Sequence, residues 1–258
     1  MAGAGRPDPQ RLGGVGWLER TNGALTARER RRLLGAVVWG QALALVGRVK
    51  LATGRVPASI PGEDQILDPP DSALARAADE ACAEQPDELA GHARRTWIYG
   101  RALAVVDDTE LDPELFYVAA LLHDVGLVEA VAGEDFTLRS GQLAARCLRA
   151  HGHDEPTIDL VRDAISAHVT PGATLATDGP LGYYVQAGAV LDLVGLRACD
   201  LSAALLDRAL RAHQRAGLTP AIIDHVNSEA AAVPDGRFAL LTRLGFTLAI
   251  RLAPFDQK

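Results

Sequence analysis

The chain has few cysteines and no excess of positive charge, and each shortage excludes a class of protein. Only three cysteines occur in 258 residues, Cys82, Cys147 and Cys199. Their odd number and wide separation predict neither a disulfide framework nor a cysteine zinc site, so we expect small buried thiols in a reducing cytoplasm. The formal net charge is −7, which argues against a nucleic-acid partner bound through its phosphate backbone.

Long apolar runs are also scarce. The best candidate, residues 33–46, follows three consecutive arginines. It begins too far from Met1 for a typical signal peptide and is too short to cross a bilayer. We therefore interpret it as an amphipathic or buried helix, and we expect no membrane partner and a cytoplasmic location.

The composition divides the chain into three parts. Residues 1–16 are rich in Gly, Pro and Arg and are expected to be disordered. Residues 17–70 hold a helical extension followed by a Pro- and Gly-rich linker. From residue 71 to residue 258, apolar residues recur at intervals of three and four, and no segment alternates as a strand would. The fold class is therefore all-α, a helical bundle with an N-terminal helical extension.

A histidine and an aspartate stand side by side at the end of the apolar run 116–122. Burying the imidazole of His123 and the carboxylate of Asp124 among aliphatic side chains is costly unless a partner satisfies them. His92, His168 and Asp192 lie on the apolar stripes of other predicted helices. Each alone is best explained as a hydrogen-bonded core residue, but five residues with this placement favour a metal site built from several helices.

The donor types narrow the choice of metal. Imidazoles and carboxylates together suit Zn²⁺, Mn²⁺, Fe²⁺ or Co²⁺, and we expect one such divalent ion, zinc first among them. Because no cysteine joins the set, a structural zinc site is disfavoured. An open coordination position would activate a water at neutral pH, so we expect an enzyme with a small-molecule substrate.

The ordered motifs resemble the HD-domain metal-dependent phosphohydrolase superfamily, whose H…HD…D signature matches His92, His123, Asp124 and Asp192. They are more similar still to its cyanamide hydratase-like branch, over a region from about residue 71 to the C-terminus. Residues 92–100 look like that branch's His-Ser-x-Arg-Thr-Tyr-x-Phe-Gly. The other similar segments are 164–168 (Ala-Ile-x-x-His), 186–195 (Gly-x-x-x-Asp-x-x-Gly) and the ending 246–255.

The resemblance implies an HD-domain helical bundle over residues 71–258 and a metal held by His92, His123, Asp124 and Asp192. It places His168 near the open side of the metal, where its imidazole would pass on a proton. Asp124 and His168 are accordingly our candidate catalytic residues.

One position departs from that branch, which often has Phe-Glu-x-x-Gly-Gly where this chain has Thr137. Threonine cannot replace a carboxylate as proton carrier or second-metal ligand, which disfavours cyanamide as substrate and a dinuclear site. His151 and His153 could supply a second-metal ligand. They flank Gly152 in a polar turn, however, and are interpreted as surface histidines.

Three residues are candidate substrate contacts, namely Arg95, Thr137 and Gln186. The guanidinium of Arg95, one turn from His92, could anchor an anionic group, or could instead pair with a carboxylate of the bundle. Gln186 precedes Asp192 by six residues and need not share its helix face.

The expected function is a metal-dependent hydrolase or hydratase that uses metal-activated water on a small C–N or nitrile-like substrate. The alternative is a phosphomonoesterase for a nucleotide or other small phosphate, which Thr137 favours and the scarcity of lysine near the motifs disfavours. A non-catalytic metal-stabilised scaffold and a dinuclear iron oxygenase are further options. The sequence is compatible with a homo-oligomer.

Overall fold

The computed structural model describes residues 7–255, and these residues form the all-α fold predicted from the sequence. They contain helices joined by turns and short 3₁₀ segments, and no β-strand. The helices are α1 (Val15–Thr21), α2 (Ala27–Ala52), α3 (Ala73–Ala83), α4 (Asp87–Val106), α5 (Pro113–Leu122), α6 (Phe136–Ala150), α7 (Glu155–Ala167), α8 (Leu175–Val194), α9 (Ala203–Ala212), α10 (Leu218–Ala232), α11 (Arg237–Arg243) and α12 (Phe246–Arg251).

Helix α5 ends in the centre of the molecule, which is why the His-Asp doublet is buried. The helix begins at Pro113, and the carboxylate of Asp112 accepts hydrogen bonds from the amides of Glu114 and Leu115. Proline at the first position and an aspartate cap both favour this start. All residues from Leu115 to Leu122 are buried, so the helix carries His123 into the core.

Helices α4 and α8 approach each other closely because glycines line their contact. A Cβ added to Gly188 would lie 2.2 Å from the carbonyl oxygen of Thr96 and 2.9 Å from the amide nitrogen of Gly100. No side chain fits there without moving a helix backbone. This close approach brings His92 of α4 beside Asp192 of α8.

Residues 7–16 pack against the bundle, although the sequence predicted disorder over residues 1–16. The guanidinium of Arg11 lies 2.7 Å from the carboxylate of Asp163 and 2.9 Å from that of Asp178. The amide of Val15 also donates to Asp163. Sequence spacing cannot predict these long-range ion pairs, and residues 1–6 lie outside the described part of the chain.

Helix α2 differs from the prediction of an amphipathic or buried helix. It is 26 residues long, and in the described part of the chain it alone is long and apolar enough to cross a membrane. Only Leu33 and Gly47 are buried. Residues that are compatible with a helix, among them Arg, Lys, Val, Leu and Ala, flank the apolar run 33–46 on both sides. The helix therefore continues beyond both ends of the run.

Candidate metal centre

The His-Asp doublet and His92 meet at one point in the bundle. His92 lies on α4, while His123 and Asp124 follow the last turn of α5. One potential ligand atom from each of these three buried residues lies within 4.8 Å of the others. The Nε2 atoms of His92 and His123 are 3.5 Å and 3.2 Å from Oδ2 of Asp124.

A third imidazole faces the same carboxylate. The Nε2 atom of His168, at the end of α7, lies 3.2 Å from Oδ1 of Asp124. Its ring contacts that of His123 edge to face, with centroids 4.8 Å apart. His168 therefore lies beside the centre and contacts Asp124, although it is not one of the three residues whose ligand atoms cluster within 4.8 Å.

Each imidazole is held by a hydrogen bond from its outer nitrogen. Nδ1 of His123 donates to the carbonyl of Ala120 at 2.7 Å, and Nδ1 of His168 donates to the carbonyl of Ile165 at 2.6 Å. Nδ1 of His92 lies 2.7 Å from Oδ2 of Asp192. The carbonyls and the ionised carboxylate of Asp192 can only accept, so in each neutral imidazole the proton is on Nδ1 and the Nε2 lone pair faces the centre.

Three polar atoms at the centre have no hydrogen-bond partner although they are buried. These atoms are Nε2 of His92, Nε2 of His123 and Oδ1 of Asp124. Leaving such acceptors unsatisfied costs free energy, and a divalent cation bound between them would satisfy all three. The residues present therefore fit the metal that the donor set predicts.

The electrostatics keep His92, His168 and Asp124 in ligand form, whereas the raised pKa of His123 favours its protonated form. Burial is the largest influence on the pKa of His92 and of His168, and it lowers both, which favours neutral imidazoles. Burial alone would raise the pKa of Asp124, but His123 and His168 outweigh it and hold this pKa well below its ordinary value. Burial lowers the pKa of His123, but the carboxylate of Asp124 raises it. The net result is a raised pKa.

Asp192 lies outside the three-residue cluster, in contrast to the predicted role as a metal ligand. Its Oδ1 accepts from Nε of Arg95 at 2.8 Å and lies 3.3 Å from Nε of Arg215. Its Oδ2 accepts from Nη2 of Arg95 at 2.9 Å and contacts His92. Its oxygens contact two guanidinium groups and an imidazole, so in this arrangement Asp192 is placed to orient His92, and its role as a metal ligand stays a prediction.

The three residues predicted to contact the substrate lie in different environments. Arg95 is fully buried in an ion pair with Asp192, which is the alternative that the sequence left open, and it does not line the cavity at the centre. Thr137 is also fully buried, donating to Asp135 and accepting from Arg237, and it does not line the cavity at the centre. Gln186 does line that cavity, while its amide donates to the carbonyls of His168 and Thr170.

A mainly apolar cavity of about 180 Å³ opens onto the centre. His92, His123, Asp124 and His168 lie at its polar end. Helix α2 supplies one wall, including Arg48, a contribution that sequence spacing could not predict because tertiary packing alone creates it. The other lining residues include Val169, Ala189, Val190, Leu193, Ile222, Phe238, Leu241 and Phe246.

The two histidines of the polar turn stay away from this cavity. His151 is exposed and His153 half-buried, and neither lines the cavity or joins the cluster. Their interpretation as surface residues is confirmed for His151 and holds in part for His153.

The comparison with protein families agrees with the geometry. Residues 89–209 match the HD domain family, and this region contains His92, His123, Asp124, His168 and Asp192. The match supports the HD-domain superfamily, whose domain is all-α and whose members include metal-dependent phosphohydrolases. No curated protein matches the chain.

Proposed function

We propose that the protein is a metal-dependent hydrolase or hydratase that acts on a small, mainly apolar C–N or nitrile-like substrate. The observation that carries this proposal is the convergence of unpartnered donor atoms from His92, His123 and Asp124 at the end of an apolar cavity. The HD domain supports an enzyme of this general kind. The resemblance of residues 92–100 and 164–168 to the cyanamide hydratase-like branch supports the C–N chemistry.

Four residues would hold the metal, namely His92, His123, Asp124 and His168. When bound, a divalent ion of the zinc type lowers the pKa of water and so supplies a nucleophile at neutral pH. This assignment replaces Asp192 with His168 in the ligand set, because Asp192 is occupied by Arg95 and His92, whereas Nε2 of His168 faces Asp124.

The protein's own groups would bind the substrate and handle its proton. The apolar walls exclude water and accept the uncharged part of the substrate. One carboxylate oxygen of Asp124 can bind the ion while the other accepts a proton, so Asp124 is the group at the centre best placed for proton transfer. Gln186 fixes the chain after α7 by donating to the carbonyl of His168 at 3.0 Å, which holds that imidazole in place.

A phosphomonoesterase is the second candidate, and one observation favours it. Arg48 of α2 lines the cavity, and its Nε is buried without a hydrogen-bond partner. A guanidinium in this position could bind a phosphate or another anionic group. The remaining lining is mostly apolar, which suits a neutral substrate better.

An activity panel with matched variants would test the proposal. Purified protein loaded separately with Zn²⁺, Mn²⁺, Fe²⁺ or Co²⁺ would be assayed against nitriles, amides and phosphomonoesters. We expect turnover of a neutral C–N substrate, lost in His123→Ala and retained in His151→Ala and Arg48→Leu. Turnover of phosphomonoesters alone, with kcat/KM lowered in Arg48→Leu, would instead establish the second candidate.

A further inference from the structure

Helix α2 presents a broad apolar surface to solvent. Its large apolar side chains on this outer face are between 43% and 67% exposed, and Trp39 is the most exposed of them. Large contiguous apolar patches on a soluble protein mark an interaction site. The outer face comprises Leu34, Val38, Trp39, Leu43, Leu45, Val46 and Val49.

The opposite face of α2 is attached to the protein along its length. Leu33 packs with Trp17 and Leu18, Val37 packs on the cluster around α10, and Leu51 packs on the main core. A helix held in this way would have to detach in order to cross a bilayer. Its free outer face is therefore suited to docking and not to spanning.

Positively charged side chains lie at both ends of the apolar face. The segment 30–62 contains five arginines and one lysine and no acidic residue, within a chain whose net charge is −7. Arg28, Arg31 and Arg32 are exposed at one end of α2, and Lys50 is exposed at the other. Arg31 lies seven residues before Val38, so it shares the stripe of the outer face.

This charge pattern disfavours a second copy of the chain as the occupant. Pairing two α2 helices in parallel would place each arginine cluster beside its counterpart. Pairing them antiparallel would place Arg31 and Arg32 beside the partner's Lys50. Either arrangement brings like charges together with no acidic side chain of α2 after Glu29 to offset them.

We propose that the outer face of α2 binds the surface of an anionic lipid bilayer, with the helix lying in the plane of the interface. The apolar side chains would enter the boundary between headgroups and acyl chains. The flanking arginines and lysine would extend to the lipid phosphates. This proposal replaces our expectation of no membrane partner, and it does not depend on the reaction that the metal centre catalyses.

Tryptophan fluorescence can report this docking almost selectively. Trp17 and Trp97 are 2% and 4% exposed, whereas Trp39 is 67% exposed. Adding phosphatidylglycerol-containing vesicles to the full-length protein should shift the emission to the blue, since Trp39 would move into an apolar boundary. The shift should be absent in Trp39→Gln, and it should weaken at high ionic strength.

Vesicle co-sedimentation with matched charge reversals would decide the proposal. Arg31→Glu combined with Arg32→Glu should weaken binding at least about tenfold. The control, Arg146→Glu combined with Arg149→Glu, reverses two exposed arginines of α6 and should bind as the unaltered protein does. Circular dichroism would verify that both variants fold.

Three outcomes would overturn the proposal. The first is no co-sedimentation with anionic vesicles, and the second is equal binding to purely zwitterionic ones. The third is sedimentation of the free protein as a dimer that Trp39→Gln combined with Leu45→Gln converts to monomer, which would assign the face to a second copy of the chain.

Discussion

Nδ1 of His92 lies 2.7 Å from Oδ2 of Asp192, and this contact joins α4 to α8 directly behind the metal centre. The two side chains are fully buried. Because the carboxylate holds the outer nitrogen, the inner Nε2 is directed toward Asp124 and His123. Arg95 and Arg215 fix the carboxylate in turn, so the orientation of one metal ligand depends on a buried ionic network.

Asp192→Asn should weaken metal binding without abolishing it. The variant keeps the shape of the side chain but removes the charge that orients His92, a type of change that lowers metal affinity by about 10–100-fold. A competition titration with a chelator would measure this. A loss of metal as complete as that in His123→Ala would show that Asp192 is itself a ligand.

Asp163→Asn provides the matched control for that experiment. Asp163 is also a buried aspartate paired with an arginine, Arg11, but it does not line the metal cavity. Burial raises the pKa of Asp163 and Arg11 keeps Asp178 as a second partner, so removing the charge should change the free energy of unfolding by no more than about 1 kcal/mol and leave the metal affinity unchanged. Urea unfolding and the same titration would separate the two effects.

His168→Gln should lose most of its metal affinity. The imidazole Nε2 faces Asp124 at 3.2 Å, and its Nδ1 is already held by Ile165, as expected for a ligand. Elemental analysis after dialysis would measure the metal retained. Full metal content with a turnover reduced by about a hundredfold or more would instead restore the role of proton carrier that the sequence suggested.

Glu229→Gln should stabilise the protein at alkaline pH. Burial raises the pKa of Glu229 to about 7, above that of the unfolded chain, so the folded protein holds this proton more tightly. The free energy of unfolding therefore falls as the pH rises from about 4.5 to about 7. Above that range, the destabilisation caused by the ionised Glu229 carboxylate is fully present.

Chemical unfolding across this pH range would measure the effect. At about pH 8 the free energy of unfolding of the variant should exceed that of the unaltered protein by on the order of 2–3 kcal/mol. This difference should vanish near pH 4. Glu80→Gln, at an exposed position, should show no such pH-dependent gain. A constant difference at every pH would mean that the ionisation of Glu229 is not its cause.

Gly188→Ala should destabilise the bundle. The added methyl group would meet backbone atoms of α4 at 2.2 Å and 2.9 Å, and relieving the clash separates the two helices at a cost of about 1–3 kcal/mol or more. Gly141→Ala in α6 is the control, since its nearest neighbours are 3.7 Å or more away. In urea unfolding, the free energy of unfolding of the control should be unchanged or higher by up to about 1 kcal/mol.

The periodic spacing of apolar residues was sufficient to predict the helices that carry the site. Helix α7 illustrates this, because Ile158, Val161 and Ile165 define a stripe that continues to His168, and all four are buried. Ser72, a residue type that favours the start of a helix, caps α3 by accepting a hydrogen bond from the amide of Ala75. Local patterns of this kind depend only on neighbours in sequence.

Distances between helices could not be predicted in the same way. Spacing placed Asp192 on an inward face, but only the packing of α4 on α8 shows that Arg95 occupies its oxygens. The course of residues 7–16 likewise depends on ion pairs between Arg11 and residues more than 150 positions away. The exposure of α2 was missed because its apolar residues are not confined to one stripe.

The wall that α2 contributes to the cavity lies outside residues 89–209, which match the HD domain. The groups that would generate the nucleophile and many of the groups that would contact the substrate therefore belong to separate stretches of sequence. Substitutions at Ala36, Gly40 or Ala44 can reshape the cavity while every metal ligand stays in place. During evolution, such a chain can acquire new substrates through its extension and keep its reaction chemistry unchanged.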